Sequence, residues 1–183
     1  IGTAILKQNE RRIREIAAQH FEERPKFYQN DHNDQMVAVA ALLTSNGYQE
    51  VRWGYEMQRL IDAPLPNAPM PDGLETRPVQ EQHYRLIWEA QNEAFRDHWG
   101  HSERTEEEYQ RWISDPITFR PDLWKVAWDG DQVAGMVLNF LNEEENAEYK
   151  RQRGYTEFIS VRRPWRQRGL AKSLLVQSIQ MFQ

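Results

Sequence analysis

Residues 156–182, TEFISVRRPWRQRGLAKSLLVQSIQMF, contain the pattern that decides the fold of this chain. The stretch predicts a short strand, then a basic turn, then an amphipathic helix that begins at Gly169. A glycine at a helix start lets a ligand approach the backbone closely, and the first amides of a helix lack partners within it. These amides, together with the arginines of the turn, predict a binding site for an anionic group.

The turn is basic although the whole chain is acidic. The sequence has 23 Lys and Arg against 28 Asp and Glu, a formal net charge of −5. No acid interrupts the cations of the turn, which are Arg162, Arg163, Arg166, Arg168 and Lys172. A compact cationic patch in an acidic chain favours a small anionic ligand over nucleic acid or a membrane surface. A nucleic-acid-binding element at residues 162–172 is therefore the weakest of three functional hypotheses.

Other classes of protein are excluded by composition. The chain has no cysteine, so it has no disulfide framework, thiol nucleophile or cysteine-metal site. No apolar run approaches the ~20 residues that span a bilayer, and no signal-peptide pattern is present. A cytoplasmic protein is predicted. Because the chain opens at Ile1 and closes at Gln183 within helical patterns, both ends are expected to lie inside a longer protein.

The chain divides at a proline-rich segment. Four prolines between Pro64 and Pro71, followed by Asp72-Gly73, predict a semi-rigid linker at 63–73. Before it, the patterns predict a helix from Thr3 to His20, a strand at Pro25–Gln29, a helix ending near Ser45 and an alternating strand at Val51–Arg59.

A second series of elements is predicted after the linker. It comprises an edge strand at 74–79, a helix at 80–96, and a helix begun by a capping box of Thr105 and Glu108. A hairpin with an Asp129-Gly130 turn and a strand from Tyr155 complete it, before the basic turn and its helix.

The basic turn, Arg166-Gln167-Arg168-Gly169-Leu170-Ala171, resembles the acyl-CoA pyrophosphate loop of GNAT acetyltransferases, whose pattern is Gln/Arg-x-x-Gly-x-Gly/Ala. Residues 74–183 are similar in element order to the N-terminal half of a GNAT domain, with strands 1–4 and the CoA-loop helix. Residues 1–62 resemble the C-terminal half of a preceding GNAT domain. The resemblance implies a segment of a tandem protein, with a build similar to that of the mycothiol synthase group.

This resemblance implies the GNAT acyl-CoA N-acyltransferase fold, of the α+β or α/β class, with a mixed, mostly antiparallel sheet flanked by helices. The two half-domains are expected to dock as one composite, circularly permuted domain. The other hypothesis is that the missing parts come from a second copy, in a domain-swapped homodimer.

Site residues are carried over from the family one at a time. The resemblance implies that the backbone of Ile159 and Val161 pairs with the pantetheine of acetyl-CoA, and that Glu157 is the general base. The alternative for Glu157 is a surface glutamate paired with Lys150 or Arg151. The residues implied to hold the pyrophosphate are Arg166, Gln167, Arg168, Gly169, Leu170 and Ala171.

Two histidines, His98 and His101, lie on the loop between the first two helices after the linker. No third ligand stands at a characteristic spacing, so a metal site is not favoured and no metal is predicted. Because this loop often lines the acceptor pocket in GNAT enzymes, the resemblance implies a substrate-side role. A structural loop is the alternative.

The resemblance leaves two further functional hypotheses. One is an acetyl-CoA-dependent N-acetyltransferase that transfers acetyl to an amine of a small molecule or peptide by direct attack. The other is a non-catalytic acyl-CoA-binding or sensory module. It is favoured because alignment on Gly47-Tyr48 puts Leu43 where the family carries the tyrosine acid.

Overall fold

The computed structural model describes residues 2–19 and 25–183 and divides the chain into two compact units. The first unit is Ile1–Met57 and the second is Gln58–Gln183. The division falls a few residues before the predicted linker at 63–73, so the proline-rich segment belongs to the second unit.

The described part of the first unit contains two helices, α1 (Gly2–Ala17) and α2 (Val37–Ser45). His20, the predicted end of the first helix, lies outside the described residues. Helix α2 ends where the Asn46 N–H donates to the Leu43 carbonyl, and Gly47 follows with a left-handed φ of 87°. The Tyr48 hydroxyl donates to Glu10 Oε1 at 3.2 Å. This contact joins the end of α2 to the middle of α1.

The strands predicted at Pro25–Gln29 and Val51–Arg59 are wrong, because neither segment has strand structure. The alternating side chains of Val51, Trp53, Tyr55 and Met57 are 66–90% exposed. Alternation yields a strand only where a neighbouring strand takes up the backbone hydrogen bonds and a core covers one face. A composite sheet would need these strands, and the described residues 2–19 and 25–57 contribute none.

The second unit is built on a four-stranded antiparallel sheet with the order β1-β2-β3-β4. The strands are β1 (Glu75–Thr76), β2 (Lys125–Asp129), β3 (Gln132–Leu141) and β4 (Gly154–Val161). The predicted hairpin is confirmed, with Asp129 opposite Gln132 across the turn. Both β1 and β4 lie at edges of the sheet.

Four helices accompany the sheet: α3 (Tyr84–Ala94), α4 (Glu106–Ile113), α5 (Glu143–Glu148) and α6 (Leu170–Phe182). The capping box before α4 is confirmed, since the Thr105 hydroxyl accepts from the Glu108 N–H and the Glu108 carboxylate accepts from the Thr105 N–H. Helix α5 lies between β3 and β4. Asn142 caps its start, because the Asn142 side chain accepts from the Glu145 N–H.

Hydrophobic clusters cover both faces of the sheet. On the α3 face, Ile87 and Ala90 pack with Met136 and Leu138, and the aromatic rings of Trp88, Tyr109, Trp112, Phe119 and Trp124 extend this cluster. On the α6 face, Leu170 and Leu174 pack with Ala127, Val137 and Trp165. The predicted class, helices flanking a mostly antiparallel sheet, is confirmed.

Candidate functional site

A cavity of about 620 Å³ opens between the end of α3, the last residues of β4 and the first turn of α6. Seven of the eight residues predicted to hold the cofactor line it: Ile159, Val161, Arg166, Gln167, Gly169, Leu170 and Ala171. We call this the first cavity. The basic turn predicted from the sequence therefore forms one wall of a pocket in the second unit.

The start of α6 presents backbone donors to this cavity. Gly169 is the residue before the helix, with a left-handed φ of 85° and no side-chain cap. A Cβ on Gly169 would meet no heavy atom within 4 Å, so the space in front of it is open. The first N–H groups of a helix have no carbonyl partner within it, and the helix dipole makes this end positive. This arrangement suits a phosphate or diphosphate.

Asp97, just after α3, accepts hydrogen bonds from two arginines of the basic turn. Its carboxylate lies 2.5 Å from Arg163 Nη2 and 3.0 Å from Arg166 Nη1. The bonds from Arg163 and then Arg166 lower the pKa of Asp97 to about 2, and the same bond to Asp97 raises the pKa of Arg163. The sequence does not reveal this partner, because Asp97 is remote from the turn along the chain.

Arg166 is a structural link as well as a cation. Its Nε donates to the Val161 carbonyl at 2.9 Å, and its Nη2 donates to the Ala94 carbonyl at 3.1 Å. With the bond to Asp97, three of the five N–H groups of the guanidinium join the end of β4 to the end of α3. Two donors remain for a ligand.

Arg168 and Lys172 differ in where their side chains lie. The Arg168 guanidinium donates to the Asp72 carbonyl at 2.8 Å, and Arg168 is the predicted residue that does not line the first cavity. Lys172, in the first turn of α6, does line it and has no ion pair among residues 2–19 and 25–183. Lys172 therefore offers a cation that the predicted site residues did not include.

Strand β4 carries a bulge beside the cavity. Glu157 pairs with Leu138 and Ser160 pairs with Met136, so two residues of β4, Phe158 and Ile159, lie opposite one residue of β3. Phe158 has a φ of 48°, which is rare for a bulky residue and marks local strain. A bulge leaves the extra residue outside the ladder. A backbone N–H there can point at a ligand oxygen on which negative charge develops.

The bulge separates Glu157 from the cavity. The predicted common face of Glu157, Ile159 and Val161 is wrong: Glu157 stands opposite Leu138 of the α3-face cluster, whereas Val161 packs against the α6-face cluster. Glu157 is exposed and lines neither cavity. The alternative of a surface glutamate is correct for its position, but its pairing with Lys150 or Arg151 is not formed in the described residues, where Arg151 bonds to Glu145.

A second cavity of about 600 Å³ lies along α3, between the loop before α4 and the β2–β3 turn. His101 lines this second cavity, whereas His98 lines the first and contacts the Trp99 carbonyl at 2.9 Å. The two histidines predicted to share a substrate-side role therefore belong to different pockets. Within residues 2–19 and 25–183, no group of three or more His, Asp or Glu residues could hold a metal ion.

Leu43, the residue at the expected position of the acid, is buried in α2 of the first unit. Its side chain has no ionisable group. The nearby Tyr48 has its pKa raised by burial and then by the hydrogen bond to Glu10.

In the described part of the chain, no helix is both long and apolar enough to cross a membrane.

Comparisons with known proteins bear on the family and the fold of the chain. A sequence model of the acetyltransferase (GNAT) family matches residues 84–183, more than half of the chain. The crystal structure of a GCN5-related N-acetyltransferase from Sphaerobacter thermophilus matches with a TM-score of 0.60 at 25% identity, over 81% of this chain and 44% of that chain. This chain thus spans less than half the length of that protein.

A second solved structure, PH1933 from Pyrococcus horikoshii OT3, has a TM-score of 0.46 at 12% identity. That match covers 60% of this chain and 71% of the other. No curated protein matches the sequence.

Proposed function

Because this chain belongs to the acetyltransferase (GNAT) family, we propose that it binds acetyl-CoA in the first cavity and takes part in acetyl transfer to an amine. The acceptor is an amine of a small molecule or peptide. One observation carries the proposal: the uncapped first turn of α6, with Gly169 in the left-handed region, forms a wall of the same cavity as the bulged end of β4.

Each part of the cofactor meets matching chemistry in this cavity. The diphosphate would accept hydrogen bonds from the first amides of α6 and from the remaining donors of Arg166, with Lys172 adding charge. The pantetheine would run along Ile159–Val161 and pair with the strand backbone. The thioester would then lie at the bulge, where a backbone N–H could polarise its carbonyl.

Acetyl transfer from this position needs one bond to form and one to break. The amine nitrogen attacks the thioester carbon, the C–N bond forms, and the C–S bond breaks to release the CoA thiolate. A base removes one proton from the ammonium before attack, and an acid protonates the thiolate. The nitrogen loses a second proton as the amide forms, and this proton replaces the one that the acid gave to the thiolate. We propose Glu157 as the base acting through water, because its carboxylate is exposed and has no hydrogen bond or ion pair within the described residues.

We also propose that the chain belongs to a longer tandem protein. Residues 1–62 would be the C-terminal half of one GNAT domain, 63–73 the linker and 74–183 the N-terminal half of a second. The element order after the linker supports this division, as does the 44% coverage of the Sphaerobacter protein. Residues that complete the second active site, including its acid, would come from the rest of the protein or from a second copy. We propose a cytoplasmic location for it.

The second candidate function is a non-catalytic acyl-CoA-binding or sensory module. The buried Leu43 and the position of Glu157 outside the cavity favour it, because neither provides an acid or base directly at the cofactor. Thiol release from acetyl-CoA over an amine panel, with this chain and with the longer parent, distinguishes the two functions. Release by the parent supports the transferase, and binding without release by both supports the module.

The cofactor site is tested by isothermal titration calorimetry with acetyl-CoA. Gly169→Asp and Gly169→Asn both place a side chain that tolerates the left-handed region at the start of α6, but only Asp adds a negative charge. We expect Gly169→Asp to bind at least ~10-fold more weakly than Gly169→Asn, because like charges repel at the diphosphate. Equal affinities of the two variants would refute the assignment of the start of α6 as the diphosphate site.

Two basic residues provide a second comparison. Lys172→Gln is expected to weaken acetyl-CoA binding by about 3- to 5-fold, the loss of one partly screened ionic contact. Arg168→Gln is expected to leave the affinity within about twofold, because its side chain bonds to the Asp72 carbonyl outside the cavity. The opposite order of effects would show that the cofactor lies elsewhere.

A further inference from the structure

Arg104 has a partly buried guanidinium that no carboxylate of the described residues pairs with. It lines the second cavity, and no ion pair to it is formed within residues 2–19 and 25–183. Its one polar contact is a long hydrogen bond of 3.5 Å to Gln91 Oε1. Burial lowers the pKa of Arg104, and the charge of Glu108 opposes that shift only in part. A charge that is partly removed from water is normally paired, so Arg104 is available to an anionic ligand.

Aromatic rings hold the Arg104 guanidinium in place. Its central carbon lies 4.9 Å from the Trp88 ring centre and 6.0 Å from the Phe158 ring centre. Trp88 is buried in the aromatic cluster, and Phe158 is the strained residue of the β4 bulge. The rings orient the planar guanidinium, and within the described residues only its Nη1 has a hydrogen bond, to Gln91. Its other N–H groups can bind a planar anion such as a carboxylate.

The second cavity holds another unsatisfied polar group. Asn92 lines it, and its buried Oδ1 has no hydrogen-bond donor among the described residues. Glu93 and Arg162, also in the lining, neutralise each other at 2.7 Å. Glu89 and Asp131 are acids there without an ion pair in the described chain. Glu103 and the exposed Arg96 also line the cavity without an ion pair in the described residues. The cavity therefore offers one partly buried cation, Arg104, for an anion, with acidic acceptors around it for an N–H-bearing group.

We propose that the second cavity binds the acetyl acceptor and that this acceptor is an amine that also carries a carboxylate, held by Arg104. The inference rests on the proposed function, because it assumes that the thioester lies at the bulge. The Arg104 guanidinium carbon lies 6.0 Å from the ring centre of Phe158, a residue of the bulge. A carboxylate on Arg104 would therefore hold an amine a few bonds away near the reacting carbon. Amino acids and peptides with a nearby carboxylate have this chemistry.

The test measures acceptor binding without turnover. Calorimetry is performed in saturating CoA, which has no acetyl group, with a panel of L-amino acids and the matching amino acid amides, in which a neutral amide replaces the carboxylate. We expect at least one amino acid to bind the wild type about 10- to 100-fold more tightly than its amide, the size of a charge-assisted interaction. Equal binding within every pair, or no binding by any amino acid, overturns the proposal.

Variants separate recognition from folding. Arg104→Gln is expected to weaken amino acid binding to the level of the amides and to leave amide binding unchanged, with Arg104→Lys intermediate. Arg85→Gln is the matched control, because Arg85 also stacks on a ring, 3.6 Å from the Tyr109 centre, but bonds to Glu106 and lines neither cavity. An equal loss for amino acids and amides in Arg104→Gln assigns Arg104 a structural role and overturns the proposal.

The acetyl-CoA titration keeps the two proposals distinguishable. If acetyl-CoA binds in the wild type and in Arg104→Gln but acceptor selectivity is absent, the acceptor inference fails and the proposed function stands. If acetyl-CoA does not bind, the proposed function fails, and with it the premise of the inference.

Discussion

A Cβ atom on Gly135 would lie 2.8 Å from the carbonyl oxygen of Ser160, closer than real Cβ atoms come to a backbone oxygen. The Leu170 and Val161 side chains would also lie at 3.2 Å. The glycine therefore lets β3 and β4 approach beside the start of α6. Any larger residue at position 135 would have to displace Ser160, Val161 and Leu170, which line the first cavity.

Gly135→Ala is expected to lower the free energy of unfolding by about 1–3 kcal/mol, the usual cost of overpacking. Gly154→Ala is the control: its Cβ would meet only the ring end of Phe182, at 2.9 Å, and a side chain can move where a backbone oxygen cannot. Urea denaturation measures both. A loss for Gly154→Ala as large as that for Gly135→Ala would contradict the stated cause.

The second prediction concerns the pH at which Asp97 titrates. Its ordinary pKa of 3.8 is lowered to about 2 by Arg163 and Arg166. Because the folded-state pKa is depressed, the stabilisation from these bonds is fully present above about pH 4 and is lost as the pH falls towards 2. Arg163→Gln should raise this pKa towards 3.8. Carboxyl NMR titration measures it, and an Asp97 that titrates at 3.8 in the wild type would refute the pairing.

The third prediction concerns the start of α4. Thr105→Ala removes the hydroxyl that accepts from the Glu108 N–H and should destabilise the second unit by about 1 kcal/mol. Thr105→Ser retains the hydroxyl and is expected to keep most of the stability. Thermal denaturation of both variants provides the measurement, and indistinguishable melting temperatures would rule out the cap as a source of stability.

The fourth prediction concerns a buried polar contact between β3 and α6. Asn139 Nδ2 donates to Ser178 Oγ at 3.0 Å and to the Leu123 carbonyl at 2.8 Å, with both side chains fully buried. Asn139→Ala is expected to cost about 1–3 kcal/mol, because it removes two hydrogen bonds from a dry environment.

A double-mutant cycle with Ser178→Ala isolates that contact. The coupling between Asn139 and Ser178 should be about 0.5–1.5 kcal/mol, the net value of one hydrogen bond. Additive losses in the cycle would mean that Asn139 acts through the Leu123 carbonyl alone.

The parts of the fold that the sequence predicted depend on local chemistry. The capping box of Thr105 and Glu108, the Asp129-Gly130 turn and the glycine before α6 each act within a few residues, so a single sequence shows them. The bulge at Phe158 has no such signal: neither glycine nor proline marks it, and Phe158, with its positive φ, packs against the α3-face cluster, whose members are remote in sequence.

Long-range partners explain the remaining differences. Asp97 lies 66 positions from Arg163, and no spacing rule relates them. The alternation of apolar and polar residues at Val51–Met57 predicted a strand. Such a pattern shows that one face of the segment is apolar, but it does not show whether a second strand is present to pair with it. In the described residues that second strand is missing, so the same pattern gives an exposed segment.

The bulge in β4 has a consequence for the behaviour of the protein at high concentration. Open sheet edges are templates for strand addition by other molecules, which leads to aggregation. At one edge of this sheet β1 is only two residues long, and at the other the kink at Phe158 interrupts β4, so a flat incoming strand could match only part of its length. Straightening β4 by substitution would therefore be expected to lower solubility as well as to disturb the cavity.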